Sequence, residues 1–202
     1  MLRLYDYLES GNAYKVRLVL AQLGLAFERI EIDIMKGESR TPAFLAKNPN
    51  GRIPLLELDD GTFLAESNAI IYYLVEGTSL LPADRLGRAQ ALQWMAFEQY
   101  CHEPNIATSR FWLHHAELTP ERKAALAQKQ PLGYAALDVM EGHLARRAFF
   151  VGERYSIADV ALYAYTHVAD EGGFDLGRYP AIDGWLGRVR AQPGHVPITH
   201  AG

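Results

Sequence analysis

Three short segments of this 202-residue chain hold groups suited to gripping a small anionic ligand. Ser10-Gly11-Asn12 stands between an alternating apolar run and a helical run. Ser and Asn are favoured turn and cap residues. A hydroxyl at the positive end of a helix also donates a hydrogen bond to a thiolate, and the helix dipole favours the anion. An ordinary thiol with a pKa of roughly 8.5 is only a few per cent ionised at neutral pH, so such a site raises the concentration of nucleophile. Glu66-Ser67 opens another helical run. Ser67 there is either a plain cap or part of a helix N-terminus that takes a carboxylate beside a Glu66 that holds an ammonium, a pairing that suits an α-amino acid end. In Arg52-Ile53-Pro54-Leu55-Leu56, the proline is either an edge-strand residue or the second half of a cis bond, which turns the N–H and C=O of Ile53 away from the sheet and toward a ligand.

Other chemistries find less support. No Gly-x-Ser-x-Gly segment is present and no base stands beside Ser10, which argues against a serine hydrolase. The single cysteine, Cys101, excludes an intramolecular disulfide and a cysteine-based zinc site. His114 and His115 are adjacent, so on a helix they point about 100° apart and read as solvated residues, not as a chelating pair. No metal site is expected. With 20 Lys and Arg against 24 Asp and Glu and no basic block, the chain has no electrostatic footprint for nucleic acid or anionic lipid. No apolar run reaches the roughly 20 residues of a membrane helix, and the start Met1-Leu2-Arg3-Leu4 lacks a secretory core, so a cytoplasmic location is expected.

These segments need elements to hold them. Leu2 to Tyr7 alternates as a strand. Val16, Val19, Leu20 and Leu23 recur at helical spacing up to a capping Gly24, and Phe27 to Ile34 is a second strand. A short helix from Pro42 to Lys47, two strands joined at Asp59-Asp60-Gly61, and a helix from Ser67 to Glu76 complete a βαβαββα order over residues 1–77. After a linker the pattern is helical over 85–202, with caps at Asp84, Thr119 and Ser156-Ile157-Ala158-Asp159. Pro104 is expected to kink its helix and Pro131 to kink or split the next. All seven histidines follow residue 80, so histidine is not expected in chemistry seated wholly in the first domain. Phe97, Tyr100, Phe111 and Trp112 fall at helical spacing, which usually means core.

In this order and at these spacings the segments resemble the glutathione S-transferase family over nearly the whole chain, through a strand, Ser10 before a helix ending near Phe27-Glu28, Asn48-Pro49-Asn50-Gly51-Arg52-Ile53-Pro54, Glu66-Ser67 with Ala69-Ile70-Ile71-Tyr72-Tyr73-Leu74, and Ser156-Ile157-Ala158-Asp159-Val160. The resemblance implies an α/β thioredoxin-like, glutathione-binding domain followed by an all-α domain that completes the second-substrate site. It is nearest to bacterial, theta-like members with an active serine. By that analogy Ser10 stabilises the thiolate with Asn12 as second donor. Tyr5 and Tyr7 stay open as competitors, since other classes use a tyrosine at the end of the first strand. Ile53 ahead of Pro54 pairs with the cysteinyl part of glutathione, Glu66 and Ser67 hold the γ-glutamyl end, and Arg40 or Arg52 reaches the glycyl carboxylate. Tyr7, Tyr100 and Phe111 are candidates to wall the electrophile pocket. The implied protein is a homodimeric, detoxifying transferase that uses glutathione as co-substrate without a further cofactor. Glutathione-dependent disulfide reduction or isomerisation on the same scaffold, and a non-catalytic binding module, are the alternatives.

Overall fold

The computed structural model describes residues 1–202, which divide into two compact units: residues 1–78 together with 193–202, and residues 79–192. The tail 193–202 therefore groups with the first unit and not with the helices, to which an 85–202 domain assigned it. No helix is long and apolar enough to cross a membrane.

The first unit is built on four strands, β1 (Leu2–Asp6), β2 (Phe27–Glu31), β3 (Leu55–Glu57) and β4 (Phe63–Ala65), in the spatial order β2-β1-β3-β4. β1 runs parallel to β2, while the β1–β3 and β3–β4 pairs are antiparallel. A parallel neighbour demands a crossover, and α1 (Gly11–Leu23) provides it, started by Ser10 and stopped by a left-handed Gly24. α2 (Pro42–Leu45) is a single turn capped by Thr41. α3 (Ser67–Leu74) follows β4 and packs on α1. On the sheet, Tyr5, Phe44 and Leu55 form a cluster against which Ile30, Ile32, Ile53 and Phe63 pack.

α1 is buried on more sides than an amphipathic helix normally is, from Ala13 through Leu20. The tail is one reason. The Tyr14 hydroxyl donates to the Val196 carbonyl at 2.7 Å and lies 3.4 Å from His195 Nε2, and Arg17 Nη1 donates to the Ile198 carbonyl at 2.7 Å. Gly194 permits the approach, because a Cβ there would stand 2.9 Å from Gln22 Cα. Arg17, itself buried, also places Nε 2.9 Å from Asp6 Oδ2 at the end of β1 and donates to the Leu8 carbonyl. Burial raises the Asp6 pKa, with Arg17 and Arg29 drawing it back. Two of the seven histidines, His195 and His200, thus belong to the first unit, contrary to the expectation that all lie in the second.

The second unit holds α4 (Arg85–Phe97), a π-helical turn (Glu98–His102), α5 (Glu103–His115), α6 (Pro120–Leu144), α7 (Ile157–Thr166) and α8 (Pro180–Arg190). Asp84 and Thr119 accept first-turn N–H bonds as expected, and Ser156 with Asp159 forms a complete capping box. Pro104 lacks an N–H, and the chain accommodates it by the wider π turn just before α5, where Asn105 Nδ2 donates to the Cys101 carbonyl at 2.7 Å. Pro131, in contrast, does not split its helix: α6 is continuous, with Pro131 on its exposed side. Asp159 is fully buried and accepts from Trp185 Nε1 (2.9 Å), the N–H groups of Phe150 (3.2 Å) and Ser156 (2.9 Å), and the Ser156 hydroxyl (3.1 Å). Burial pushes its pKa up to about 6 against those donors.

Candidate functional site

The site in the first unit is assembled from two helix N-termini and one loop. At the first, Ser10 leaves β1 in extended conformation, its N–H bonded to the Tyr7 carbonyl (2.8 Å) and its carbonyl taking the Tyr14 N–H (2.9 Å). Its Oγ accepts from the Ala13 N–H at 3.3 Å. Acting there as acceptor leaves the hydroxyl proton available for donation outward. Asn12, one residue into the helix, receives Lys15 Nζ on its Oδ1 at 2.9 Å.

At the second N-terminus, the cap position of α3 belongs to Glu66 and not to Ser67, and the Glu66 side chain makes no capping bond. Ser67 is the first helical residue, buried, with Oγ 3.3 Å from Asn12 Oδ1 and 3.5 Å from Lys15 Nζ. The two helix starts therefore meet through side chains. Glu66 is held at φ 68°, a backbone region that costs a non-glycine residue about 1–3 kcal/mol and is found chiefly at functional sites. Its side chain is exposed, with Oε1 3.5 Å from Asn50 Nδ2.

The loop before β3 supplies the third part. Asn48, buried, donates to the Arg52 carbonyl (2.8 Å) and accepts from the Asn50 N–H (3.1 Å), which fixes the turn. Arg40 Nη1 donates to the Asn50 carbonyl at 2.9 Å and lies over Gly51, where a Cβ would come within 2.7 Å of it. Arg52 is exposed. The Ile53–Pro54 bond is cis, and the Ile53 N–H and C=O take no backbone partner.

Asn12 and Ser67 thus come together, flanked in the chain by Ser10 and Glu66, with Ile53 on the loop before β3 and Arg40, in the 3-10 turn Glu38–Arg40, bonded to that loop. Tyr5 does not join them. Its hydroxyl donates to Glu57 Oε2 at 2.7 Å and receives Lys47 Nζ at 2.9 Å, and its ring is in the sheet cluster, so its donor is already committed. Tyr7, just past β1, is half-buried. In the second unit Phe111 is half-buried, but Tyr100 is 87% exposed, which corrects its reading as a core aromatic: the buried face runs through Ala91, Met95, Glu98 and His102, and Tyr100 lies off it. Lys15 carries no motif of its own, and Asn50 stands within the Asn48-to-Pro54 segment with no role assigned to it. The only trace of Lys15 in the sequence is its i+3 spacing from Asn12 on one helix face.

The model of the glutathione S-transferase N-terminal domain matches residues 1–76, and that of the C-terminal domain matches residues 94–193. A crystal structure of a glutathione S-transferase from Pseudomonas fluorescens superposes with a TM-score of 0.96 at 54% identity, covering 98% of this chain and 99% of that one. A crystal structure of a possible glutathione S-transferase from Rhodopseudomonas palustris follows at 0.93 and 50%, covering 100% and 99%. The disulfide-bond oxidoreductase YfcG of Escherichia coli is 31% identical, covering 96% of this chain and 92% of its own length. The chain belongs to the glutathione S-transferase family.

Proposed function

We propose that the chain is a glutathione transferase of the serine-using type, whose first unit binds glutathione across the N-termini of α1 and α3. The observation that carries this reading is the meeting of those two helix starts through Asn12 and Ser67 at 3.3 Å, which sets two anion-favouring ends side by side. Ser10 donates its hydroxyl proton to the thiolate, with Asn12 as second donor. The backbone of Ile53 pairs with the cysteinyl residue. Glu66 takes the γ-glutamyl ammonium and Ser67 its carboxylate, while Arg40 or Arg52 meets the glycyl end.

The thiolate sulfur then attacks an electrophilic carbon, the new C–S bond forming as the leaving group departs with the bonding pair. The protein's share is to lower the thiol pKa and to hold the sulfur in place. We assign the second-substrate pocket to side chains of the helical unit, and a homodimeric, cytoplasmic, detoxifying role follows from family precedent. Turnover of 1-chloro-2,4-dinitrobenzene with glutathione tests the reading: saturable, glutathione-dependent product formation supports it, and binding without turnover of this or related electrophiles favours a non-catalytic binding module.

A second reading rests on the likeness to a protein named as a disulfide-bond oxidoreductase. Here the same thiolate attacks a disulfide sulfur, releases one thiolate, and leaves a mixed disulfide that a second glutathione resolves to glutathione disulfide. Reduction of a small-molecule disulfide faster than carbon-electrophile turnover would select it.

A further inference from the structure

Lys15 is fully buried on α1, yet it is no part of the ligand contacts assigned above. Its Nζ donates to Asn12 Oδ1 at 2.9 Å and lies 3.5 Å from Ser67 Oγ, and Ser67 Oγ is itself 3.3 Å from Asn12 Oδ1. The three polar groups form a closed triangle with one member at each helix start and the ammonium between them.

The hydrogen inventory of the triangle fixes its arrangement. An ammonium has only donors, so the Asn12 amide must present its oxygen to Lys15, and its two N–H donors then point the other way. The Ser67 hydroxyl has one proton. Directed at Asn12 Oδ1, that proton is not available to a carboxylate. Directed at a carboxylate, it leaves Asn12 Oδ1 still satisfied by Lys15. The ammonium thereby lets Ser67 turn its proton to a ligand while Asn12 Oδ1, on a half-buried side chain, keeps a donor. A buried ammonium is also costly to keep where an aliphatic side chain would serve packing alone. Its charge adds to the positive ends of α1 and α3 and favours anions held there.

We propose that Lys15 is a positioning residue of the glutathione site, which orients the Asn12 amide and frees the Ser67 hydroxyl for the γ-glutamyl carboxylate. This rests on the glutathione reading above. The test measures glutathione and S-methylglutathione binding by calorimetry, and the pH dependence of bound thiolate absorbance, in the full chain and in Lys15→Met and Lys15→Arg. Lys15→Met is expected to bind both ligands about tenfold more weakly and to raise the bound thiol pKa by about one unit. Lys15→Arg, which retains charge and donors, should recover most of both. In the Lys15→Met background, Asn12→Ala should add much less than it costs alone. Should Lys15→Met fail to fold, Lys15→Gln, which keeps a donor without the charge, should lose less affinity than tenfold while still raising the bound thiol pKa, and an unchanged affinity and thiol pKa there overturns the role. A wild type that binds glutathione alongside a folded variant of unchanged affinity and thiol pKa overturns the role of Lys15 alone. A wild type that binds neither ligand at millimolar concentration overturns the glutathione reading and this proposal with it.

Discussion

Asn12 and Ser67, 55 residues apart in the chain, place a side-chain oxygen each within 3.3 Å on the first turns of α1 and α3. Two helix N-termini that would each bind an anion weakly in isolation are thereby set side by side.

Ser10→Ala removes the hydroxyl proposed to donate to the thiolate and, separately, the acceptor for the Ala13 N–H. The bound thiol pKa should rise by about one unit, with turnover near neutral pH falling at least tenfold. The lost cap should cost about 1 kcal/mol in denaturant melts. Ser10→Thr should retain both functions. An unchanged pH–rate profile in the alanine variant would move the donor role to Asn12 or Tyr7.

Glu66→Gly separates backbone strain from ligand contact at one position. Glycine accepts φ 68° without steric cost, so the melting temperature should hold or rise even though glycine adds chain entropy to the unfolded state. Glutathione affinity should fall about tenfold, the scale of one lost charge-assisted hydrogen bond. Equal affinity by calorimetry would remove Glu66 from the γ-glutamyl pocket.

Arg17→Met leaves Asp6 buried without its nearest cation and the Ile198 carbonyl without its donor. Removing one member of a buried ion pair costs about 3–5 kcal/mol, whereas Arg17→Met combined with Asp6→Leu should recover much of the loss. Chemical denaturation of the single and double variants measures the difference. A single variant as stable as wild type would mean the pair and the tail contribute nothing to holding α1.

Asp159 gives a pH signature in the second unit. Its folded pKa of about 6 lies above the ordinary aspartate value near 3.8, so the folded chain binds the extra proton between those limits. Its ionisation therefore removes stability as pH rises from about 4 to about 6, by up to about 3 kcal/mol, with no further change above. Asp159→Asn cannot titrate and places an amide N–H against existing donors. It should be destabilised at every pH, and its gap to wild type should widen as pH falls from about 6 to about 4. A gap that is constant or narrows on acidification would show that Asp159 titrates at or below its ordinary value.

Local chemistry made much of this architecture legible. Ser10, Asp84, Thr119 and the Ser156–Asp159 box each announce a helix start through an oxygen at the cap, and Gly24 announces a stop through its left-handed backbone. Contacts made at long range were not legible. The tail reaches α1 by carbonyls at Val196 and Ile198, which any residue type would present, so no side-chain pattern marks it. Pro131 reads as a breaker because sequence does not reveal that it sits on the exposed side of a helix held by packing on its other face. Tyr100 reads as core because its ring suggests burial, whereas the inward face at that point is filled by Glu98 and His102, polar residues that do not announce themselves as core. At the site, the motif residues were visible but their partners were not: the ammonium of Lys15 joins Asn12 to Ser67 only once α1 and α3 are packed together.

The most direct test of the whole account is spectrophotometric titration of the glutathione thiol bound to the wild-type protein, with binding first secured by equilibrium dialysis. The account predicts a bound thiol that ionises about one pH unit or more below the free tripeptide in the same buffer. A tripeptide that is retained but titrates as it does in free solution would contradict it.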